Sequence, residues 1–335
     1  MQTIIVALAV FGVLVIFHEL GHFCVAKATG IKVHEFAIGM GPRIFHHKGK
    51  ETEYSLRALP IGGYVKMEGE DEASEDARSF SKKSIPVRMA VLFAGSFMNI
   101  VLAIILFTII FFSLGAATNT VGDVVIGSPA ESAGLQPGDT ITQIDSEKIY
   151  TWNQLVERIM ESNGDPLEIQ IKRGEEIFQK TVTPKLNEET NRFTIGIETK
   201  VERSIGQSIK TAVLSAYEVM KQIVGFLRQL ITRQADADQL TGPVGIIAVV
   251  GQASKSGWQD VVSLAGLISI NLGIMNLLPI PALDGSRIMF LFVELLRGKP
   301  VDPEKEGMIH LVGFGLLIML MLFVTWQDIL RLVQG

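Results

Sequence analysis

The hydrophobic positions of this chain are gathered into four long runs that are nearly free of charge. They cover roughly residues 3–26, 89–114, 261–281 and 311–326, the last slightly extended by Met308 and Ile309. Each approaches the 20 or so apolar residues with which an α-helix crosses the hydrocarbon core of a bilayer. The pattern therefore predicts four transmembrane helices. No Lys or Arg precedes the first run and no small-residue cleavage site follows it, so we interpret it as a retained helix.

Two other patterns separate the apolar runs. Residues 31–67 contain short β-like segments divided by glycines, which predicts hairpin strands within the first segment, 1–114. Residues 118–200 alternate strand-like runs with turn signals, which predicts a small α+β domain inserted before the second pair of helices in 242–335. The expected fold is a multi-pass α-helical membrane protein with an inserted domain.

A different periodicity covers residues 205–231, where apolar side chains recur every three or four positions. This is the stripe of an amphipathic helix, and Glu218, Lys221 and Arg228 argue against a buried span. We predict that the segment 205–240 carries a helix lying on the membrane surface. Packing of this helix on the soluble domain is the alternative.

Composition and charge narrow the class of protein. Hydrophobic residues make up 48% of the 335 residues, and mean hydropathy is +0.35, as expected for spanning helices joined to a water-soluble part. Net charge is −5 with no long basic run, so no nucleic-acid partner is expected. Cys24 is the single cysteine, which excludes an internal disulfide.

Lys and Arg also predict the orientation of the chain in the membrane. They are concentrated near span ends in the loop between the first two spans and in the loop between the last two. Basic loops favour the cytoplasmic side. The segment 115–257 and both termini are then expected outside the cytoplasm.

The candidate chemistry begins with His18-Glu19-Leu20-Gly21-His22 near the end of the first run. Two histidines four positions apart share one face of a helix, so both imidazoles can reach one metal ion. Glu19, next to the first histidine, can accept a proton from water and pass it to a leaving amine. This is the arrangement of a zinc peptidase. Ionisable groups inside a span are costly unless they bind a metal or each other; an interfacial cluster is the structural alternative.

Two imidazoles leave a catalytic zinc site one protein ligand short. Asp284 is the candidate, because Pro279 and Pro281 end the third helix and Gly285 permits a sharp turn back towards the bundle. Its alternative role is as N-cap of a helix that begins at Ser286. Asn276 could bind the substrate backbone or an oxyanion, or join helices, whereas Asn99 is expected to join helices.

With these motifs together, the sequence resembles the site-2 protease family of intramembrane zinc metalloproteases, in its bacterial branch of the regulator of sigma-E protease type. Four segments carry the resemblance: His18–His22, Pro60–Val65, Ala94–Asn99 and Asn276–Gly285. Residues 121–183 also resemble a PDZ domain through Gly127-Ser128-Pro129-Ala130 and the turn Gln136-Pro137-Gly138-Asp139. Ser96 and Ser286 stand where many relatives have Pro and Gly, and neither change removes a group that the chemistry requires.

The resemblance implies a zinc metalloendopeptidase of the bacterial cytoplasmic membrane. Zn²⁺ would be bound by His18, His22 and Asp284, with Glu19 as general base. The loop with Gly62, Gly63 and Tyr64 would form a membrane-dipping hairpin that pairs with an unwound substrate.

The substrates implied are single-pass membrane proteins such as anti-sigma factors or remnant signal peptides. The extracytoplasmic PDZ domain would bind peptide or substrate ends and, with the surface helix, exclude large substrates. The active site would lie near the cytoplasmic side.

Two other functions use the same residues. A metal permease with His18, His22 and Asp284 as a transit site would give Glu19 no role and the PDZ-like segment no purpose. An inactive scaffold would be expected to have lost part of the metal-binding set, and the set is complete in this sequence.

Overall fold

The computed structural model describes residues 2–70, 74–188, 190–232, 234 and 241–334. The end of the predicted segment 205–240 therefore lies largely outside the described residues. The helices are α1 (Gln2–Ala28), α2 (Ile85–Leu114), α3 (Pro129–Ser132), α4 (Trp152–Glu161), α5 (Ile205–Ile231), α6 (Pro243–Ser256), α7 (Trp258–Asn276), α8 (Asp284–Arg297) and α9 (Pro303–Gln334). The strands are β1 (Val33–Lys48), β2 (Glu53–Met67), β3 (Ala116–Val124), β4 (Thr140–Ile144), β5 (Glu147–Lys148), β6 (Leu167–Arg173), β7 (Glu176–Val182), β8 (Lys185–Asn187), β9 (Arg192–Thr194) and β10 (Ile197–Glu202).

Among the residues that the structure describes, four helices are long and apolar enough to cross a membrane, as the four hydrophobic runs predict. They comprise Thr3–Ala28, Ile85–Leu114, Trp258–Asn276 and Glu304–Arg331. The third is shorter than the apolar run 261–281, because the prolines that follow cannot continue a helix and disfavour helical geometry in the residue before them. The helix α6 was not predicted.

The chain divides into two compact units, residues 1–106 with 218–335, and residues 107–217. The first, the helical unit, contains the segment His18–His22, the hairpin and the third and fourth spans. The second, the sheet unit, contains β3 to β10.

In the helical unit, α2 packs closely against α1 and α7 through glycines. A Cβ atom built on Gly21 would lie 2.2 Å from the carbonyl oxygen of Ala94, and one built on Gly273 would lie 2.9 Å from that of Ser96. Small residues at such positions let helix backbones approach each other. Beside these contacts, Val10, Leu14, Leu102 and Ala265 form an apolar core.

The hairpin is more elaborate than the predicted short strands. Residues 35–38 of β1 pair on one side with 63–66 of β2 and on the other with 53–56, which in turn pair with 45–48. Two long bent strands thus make a sheet of four segments, in the order 45–48, 53–56, 35–38 and 63–67. Glycines expected between strands lie within them; Gly39, Gly41 and Gly62 have positive φ, which allows the strands to bend.

One edge of this sheet is the segment 63–67. Among the described residues, no further strand pairs with its outer side. Its inner side chains Val65 and Met67 are buried with Phe36 of β1 and Val91 of α2. The strand also packs against α1 through Gly63, so the edge is held in place while its outer backbone groups remain available for pairing.

The sheet unit has its own core. Its main sheet has the strand order β10-β3-β4-β6-β7, with β5 paired to β4. Ile141, Ile144, Ile169 and Ile171 are completely buried beneath it. The helix α4 covers this core and begins with a capping box in which the Thr151 and Gln154 side chains each bond the backbone of the other.

The helix α5 has the bounds that the apolar stripe predicts. Ala212 and Ala216 are buried, whereas Ile205, Ile209 and Val213 on other faces are exposed. The exposed side chains leave an apolar surface, so contact of this helix with a membrane remains a prediction.

Candidate metal centre

The side chains of His18, His22 and Asp284 converge in the helical unit. The two Nε2 atoms of the histidines lie 3.2 Å apart, as their spacing along α1 predicts. Asp284 Oδ2 lies 3.2 Å from His18 Nε2 and 3.4 Å from His22 Nε2. These residues form the one group of three potential metal ligands found among the described residues.

A backbone hydrogen bond determines the protonation of His22. Its Nδ1 lies 2.8 Å from the carbonyl oxygen of Val91 in α2, and a carbonyl can only accept. The proton is therefore on Nδ1, and the lone pair of Nε2 is directed at Asp284 and His18. Metal-binding histidines are commonly oriented in this way.

The three converging atoms fit a zinc ion. Tetrahedral ligands at zinc bond lengths of about 2.0–2.2 Å lie about 3.3–3.6 Å from one another. The observed separations of 3.2 to 3.4 Å are close to this range. Asp284 Oδ2 is buried and accepts no hydrogen bond from the described residues. Imidazole lone pairs and a carboxylate oxygen this close repel each other unless a metal ion or a proton lies between them.

The turn between α7 and α8 presents Asp284 to the histidines. Asp284 is the first residue of α8, and the N-cap is Leu283, with no side-chain cap. The alternative interpretation of Asp284 as N-cap is therefore wrong. Gly285 is essential to the turn, because a Cβ atom there would lie 2.3 Å from the carbonyl oxygens of Leu277 and Leu278.

Gly95 of α2 lets the helix approach the two histidines. A Cβ atom at this position would lie 2.3 Å from His22 Nε2 and 2.8 Å from His18 Cε1. Any side chain would enter the space between the candidate ligands. No role was predicted for Gly95, although the small residues Ala94-Gly95-Ser96 in an apolar span are a signal of close helix packing.

Two amides contact His18. Asn99 is fully buried, and its amide nitrogen lies 3.3 Å from His18 Nδ1. The amide nitrogen of Asn276 lies 3.4 Å from Nε2 and 3.5 Å from Nδ1, so it rests against the ring rather than on one lone pair. Asn99 was expected only to join helices, and its position at the histidine was missed. A substrate contact of Asn276 stays a prediction.

Glu19 lines the same cavity as the three candidate ligands. The cavity has a volume of about 510 Å³. Its walls are formed by His18, Glu19, His22, Tyr64, Val65, Lys66, Met67, Glu70, Leu92, Asp284 and Arg287. It therefore joins the candidate metal ligands, the candidate base and the edge segment 63–67 in one space.

The predicted hairpin glycines differ in their surroundings. A Cβ atom on Gly63 would lie 3.0 Å from Glu19 Cγ, so its missing side chain brings the edge strand against the candidate base. Gly62 instead faces the Met40 side chain, at 2.9 Å from its methyl group. Tyr64 lines the cavity but turns its hydroxyl towards Glu35.

A buried polar cluster inside the hairpin fixes Tyr64. Glu35 is 6% exposed and accepts hydrogen bonds from Ser55 Oγ at 2.6 Å, Tyr64 OH at 2.7 Å and Arg57 Nη2 at 2.9 Å. Burial alone would raise the pKa of Glu35, but these donors outweigh it and lower the pKa to about 2. Burial and the Glu35 carboxylate raise the pKa of Tyr64 to about 12. Sequence analysis missed this cluster.

The profile of peptidase family M50 matches residues 6–320. A Clostridium acetobutylicum protein named as a candidate zinc metalloprotease is 40% identical over 328 residues, covering 97% of each chain. The zinc metalloprotease RasP of Geobacillus kaustophilus is 35% identical, covering 98% of each chain. The regulator of sigma-W protease RasP of Bacillus subtilis is 32% identical, covering 99% of each chain.

A solved structure is similar to the inserted region. The PDZ domain of the SdrC-like protein of Listeria monocytogenes matches with 26% identity and a TM-score of 0.22, covering 25% of this chain and 86% of that chain. The fold is that of a helical membrane protein with a sheet-containing domain inserted between the second and third spans, as predicted. The extent and coverage of the matches show a zinc-dependent metalloprotease. The chain belongs to peptidase family M50, the site-2 proteases, in the branch that contains PDZ domains.

Proposed function

We propose that this intramembrane metalloprotease cuts transmembrane segments of single-pass proteins with a zinc ion bound by His18, His22 and Asp284. One observation carries the proposal: two imidazole nitrogens and a buried carboxylate oxygen meet within 3.4 Å of each other, in a cavity that also contains Glu19. A metal permease would have no use for a carboxylate that is close to the ligands without belonging to them.

Each ligand would be held by a different part of the helical unit. The Val91 carbonyl orients His22, the Asn99 and Asn276 amides contact His18, and the α7–α8 turn carries Asp284. Zinc bound there would supply a Lewis acid that polarises water and the scissile carbonyl. The protein fixes the ligands and leaves the cavity side open to substrate.

Glu19 would move the proton. It accepts a proton from the attacking water as the water oxygen bonds to the scissile carbonyl carbon. It then gives that proton to the peptide nitrogen as the C–N bond breaks, so that one water is consumed and no other co-reactant is needed. The edge strand at Gly63 and the walls of the cavity hold Glu19 at this location.

The substrate must unwind before it can react. A helix shields its carbonyl groups in its own hydrogen bonds, and exposing them inside a membrane costs several kcal/mol per group unless they are paired again. The free edge at 63–67 lines the cavity and can pair with an unwound segment. Cleavage should therefore be faster when a substrate helix contains Pro or Gly and slower when it is all Leu. Equal cleavage rates for these substrates would contradict the proposal that the helix unwinds before it is cut.

The relatives suggest the class of substrate. The Bacillus subtilis relative is named a regulator of sigma-W protease. By likeness to it, we infer that this chain acts on membrane-anchored anti-sigma factors, with remnant signal peptides as the other class. Membrane proteins that accumulate in a deletion strain and disappear on complementation would identify the substrates; no such difference would contradict the proposal.

We also infer that the PDZ domain lies outside the cytoplasm and screens substrates for size. The charge distribution of the other loops supports this orientation. The variant Ser146→Cys in a Cys24→Ala background should react with a membrane-impermeant thiol reagent in intact cells. Labelling only after lysis would mean that the domain lies on the cytoplasmic side. Deleting residues 121–200 should permit cleavage of untrimmed substrates; if they stay intact while trimmed ones are cut, the filter lies elsewhere.

The decisive test is Glu19→Gln. We expect cleavage of a model single-pass substrate to fall by about 10²–10⁴-fold, the usual contribution of a general acid-base group. Zinc content should be unchanged, because Glu19 is not among the converging ligands. Wild-type cleavage rates in the purified variant would overturn the assignment of Glu19, and zinc loss would make Glu19 a ligand.

A further inference from the structure

The turn that carries Asp284 contains a strained residue. Ala282 has a φ of 77°, in the left-handed region that non-glycine residues seldom adopt. It lies two positions before Asp284, after the two prolines that end α7. An alanine persists in this conformation only when the surrounding structure holds it there.

The fourth span contacts this turn at two positions. The backbone N–H of Ala282 donates to His310 Nδ1 of α9 at 3.0 Å. One helical turn further on, α9 touches the same loop, because a Cβ atom on Gly313 would lie 2.0 Å from Pro281 Cβ. The His310 ring is packed edge-on against Phe290 of α8, with centroids 5.7 Å apart. The histidine thus connects the turn, α8 and α9.

His310 must be neutral to make this bond. Its Nδ1 accepts a hydrogen bond from the Ala282 N–H, so the ring proton is on Nε2. Nε2 is buried and faces Glu306 Oε1 at 3.8 Å, which favours a proton on that atom. The side chain therefore offers a directed acceptor, and its packing leaves the ring little freedom to turn away.

We propose that His310 is a positioning residue for the zinc site, which sets the location of Asp284 through the Ala282 backbone. This inference rests on the assignment of Asp284 as a zinc ligand. Without the acceptor, no other described residue holds the Ala282 N–H in place, and the residue gains by leaving the left-handed region. Metal sites tolerate errors of about 0.2 Å in ligand distance, so a small movement of the turn weakens zinc binding.

The test compares variants that keep or remove the acceptor. His310→Leu removes it and retains similar bulk. His310→Asn restores it, because Asn Oδ1 is separated from the backbone by the same number of bonds as His Nδ1. His310→Gln offers an acceptor one bond further out, where Nε2 stood. Leu311→Ala, at a neighbouring position of α9 that is 71% exposed, controls for disturbance of the helix.

The measurement is the half-life of zinc in detergent-purified full-length protein after addition of a chelator. We expect a half-life about 3–10-fold shorter for His310→Leu and His310→Gln, somewhat less than for loss of a group that contacts a ligand directly. His310→Asn and Leu311→Ala should remain within about twofold of wild type.

The double variant His310→Leu with Ala282→Gly tests whether His310 acts through the strained backbone at position 282. Glycine adopts positive φ without steric cost, so Ala282→Gly should restore most of the zinc retention lost in His310→Leu. A merely structural role for His310 would not be rescued at position 282. If His310→Leu misfolds, the difference in zinc half-life between His310→Asn and His310→Gln still tests whether the position of the acceptor matters.

The outcomes separate this inference from the proposed function. If Asp284→Asn loses zinc rapidly while His310→Leu retains it like wild type, His310 has no positioning role and the ligand set stands. Equal losses in His310→Asn and His310→Leu, without rescue by Ala282→Gly, would also overturn the inference. If Asp284→Asn keeps zinc like wild type, the ligand assignment itself fails.

Discussion

The sheet unit and the helical unit each contain an aspartate with a buried carboxylate oxygen, and the two carboxylates are held in opposite ways. In the sheet unit, Asp139 is fully buried; Oδ1 accepts from Arg173 Nε at 2.7 Å, and Oδ2 accepts from Arg173 Nη2 and from the Gln136 N–H, both at 2.9 Å. In the helical unit, Asp284 Oδ2 accepts no hydrogen bond from the described residues and faces two imidazole nitrogens.

The difference distinguishes a structural carboxylate from one that is available to a metal. Buried carboxylates in proteins are normally paired or hydrogen-bonded, because an unpaired buried charge is costly. Asp139 follows this rule within its own unit, so it stabilises the fold. Asp284 departs from it, and the departure is explained if a cation completes its surroundings. We expect substitution of Asp139 to change folding and that of Asp284 to change metal binding.

The largest effect is expected for Asp284→Asn. A neutral amide is a poor zinc ligand, and losing a direct ligand should exceed the 10–100-fold cost of losing an outer-shell partner; we expect zinc binding weaker by roughly 100-fold or more, with cleavage lost in parallel. Metal analysis after dialysis and cleavage of a model substrate measure both. Full zinc occupancy in this variant would make Asp284 a structural residue like Asp139.

Asp139→Asn should have the converse effect. It leaves Arg173 without its buried partner, which costs about 3 kcal/mol, the lower end for broken buried pairs because Arg173 is 34% exposed. Urea unfolding of the sheet unit can be followed through Trp152, which packs on its core, in a Trp258→Phe and Trp326→Phe background. Asp165→Asn, at an exposed position, is the control. Loss of zinc in Asp139→Asn would contradict the interpretation of Asp139 as a carboxylate that stabilises only the fold.

A smaller effect is expected for Gly95→Ala. The added methyl group would lie 2.3 Å from His22 Nε2, so the ligands must shift. We expect zinc affinity to fall by about 10–100-fold, as when a ligand loses its orientation. Gly12→Ala in α1 is the matched control, since a Cβ atom there meets nothing within 4 Å. Equal zinc affinity in both variants would mean that α2 shifts to accommodate the added methyl group without displacing the ligands.

The smallest expected effect is the pH dependence of the Asp139 contribution. Burial raises the pKa of this carboxyl, but the Arg173 guanidinium and the Gln136 N–H lower it by more. A lowered pKa in the folded state stabilises the protein above the unfolded value of about 3.9, and this stability is lost as pH falls through the folded pKa. The unfolding free energy of wild type relative to Asp139→Asn should therefore be constant from pH 7 to pH 5 and decrease below pH 4. A constant difference down to pH 3 would contradict this.

The main elements of the site could be predicted because their signals are local. A charge-free run of about 20 residues has few structures available to it other than a spanning helix. The spacing of His18 and His22 places both on one face of any helix. The two prolines before Asp284 end α7 wherever it packs, although the role of Asp284 as cap or ligand stayed open in the sequence and the cap was excluded only by the structure.

Other features depended on contacts between distant segments. The sequence indicated short hairpin strands, whereas pairing of 35–38 on both sides made a sheet with a free edge beside Glu19. Asn99 was expected to join helices, and the packing of α2 on α1 brought it to His18. No local pattern links His310 to Ala282, 28 positions away along the chain.

The sequence by itself therefore determined the four spans, the paired histidines with Glu19, and the break that frees Asp284. These follow from hydrophobic length, helical spacing and the geometry of proline, which act within a few turns of chain. Only the tertiary structure decided that Asp284 Oδ2 lies beside the two histidines, that Gly95 must lack a side chain there, and that the edge segment 63–67 lines the cavity. Those outcomes depend on the packing of helices and strands far apart in sequence, where displacements of a fraction of an ångström decide whether a side chain can bind a metal.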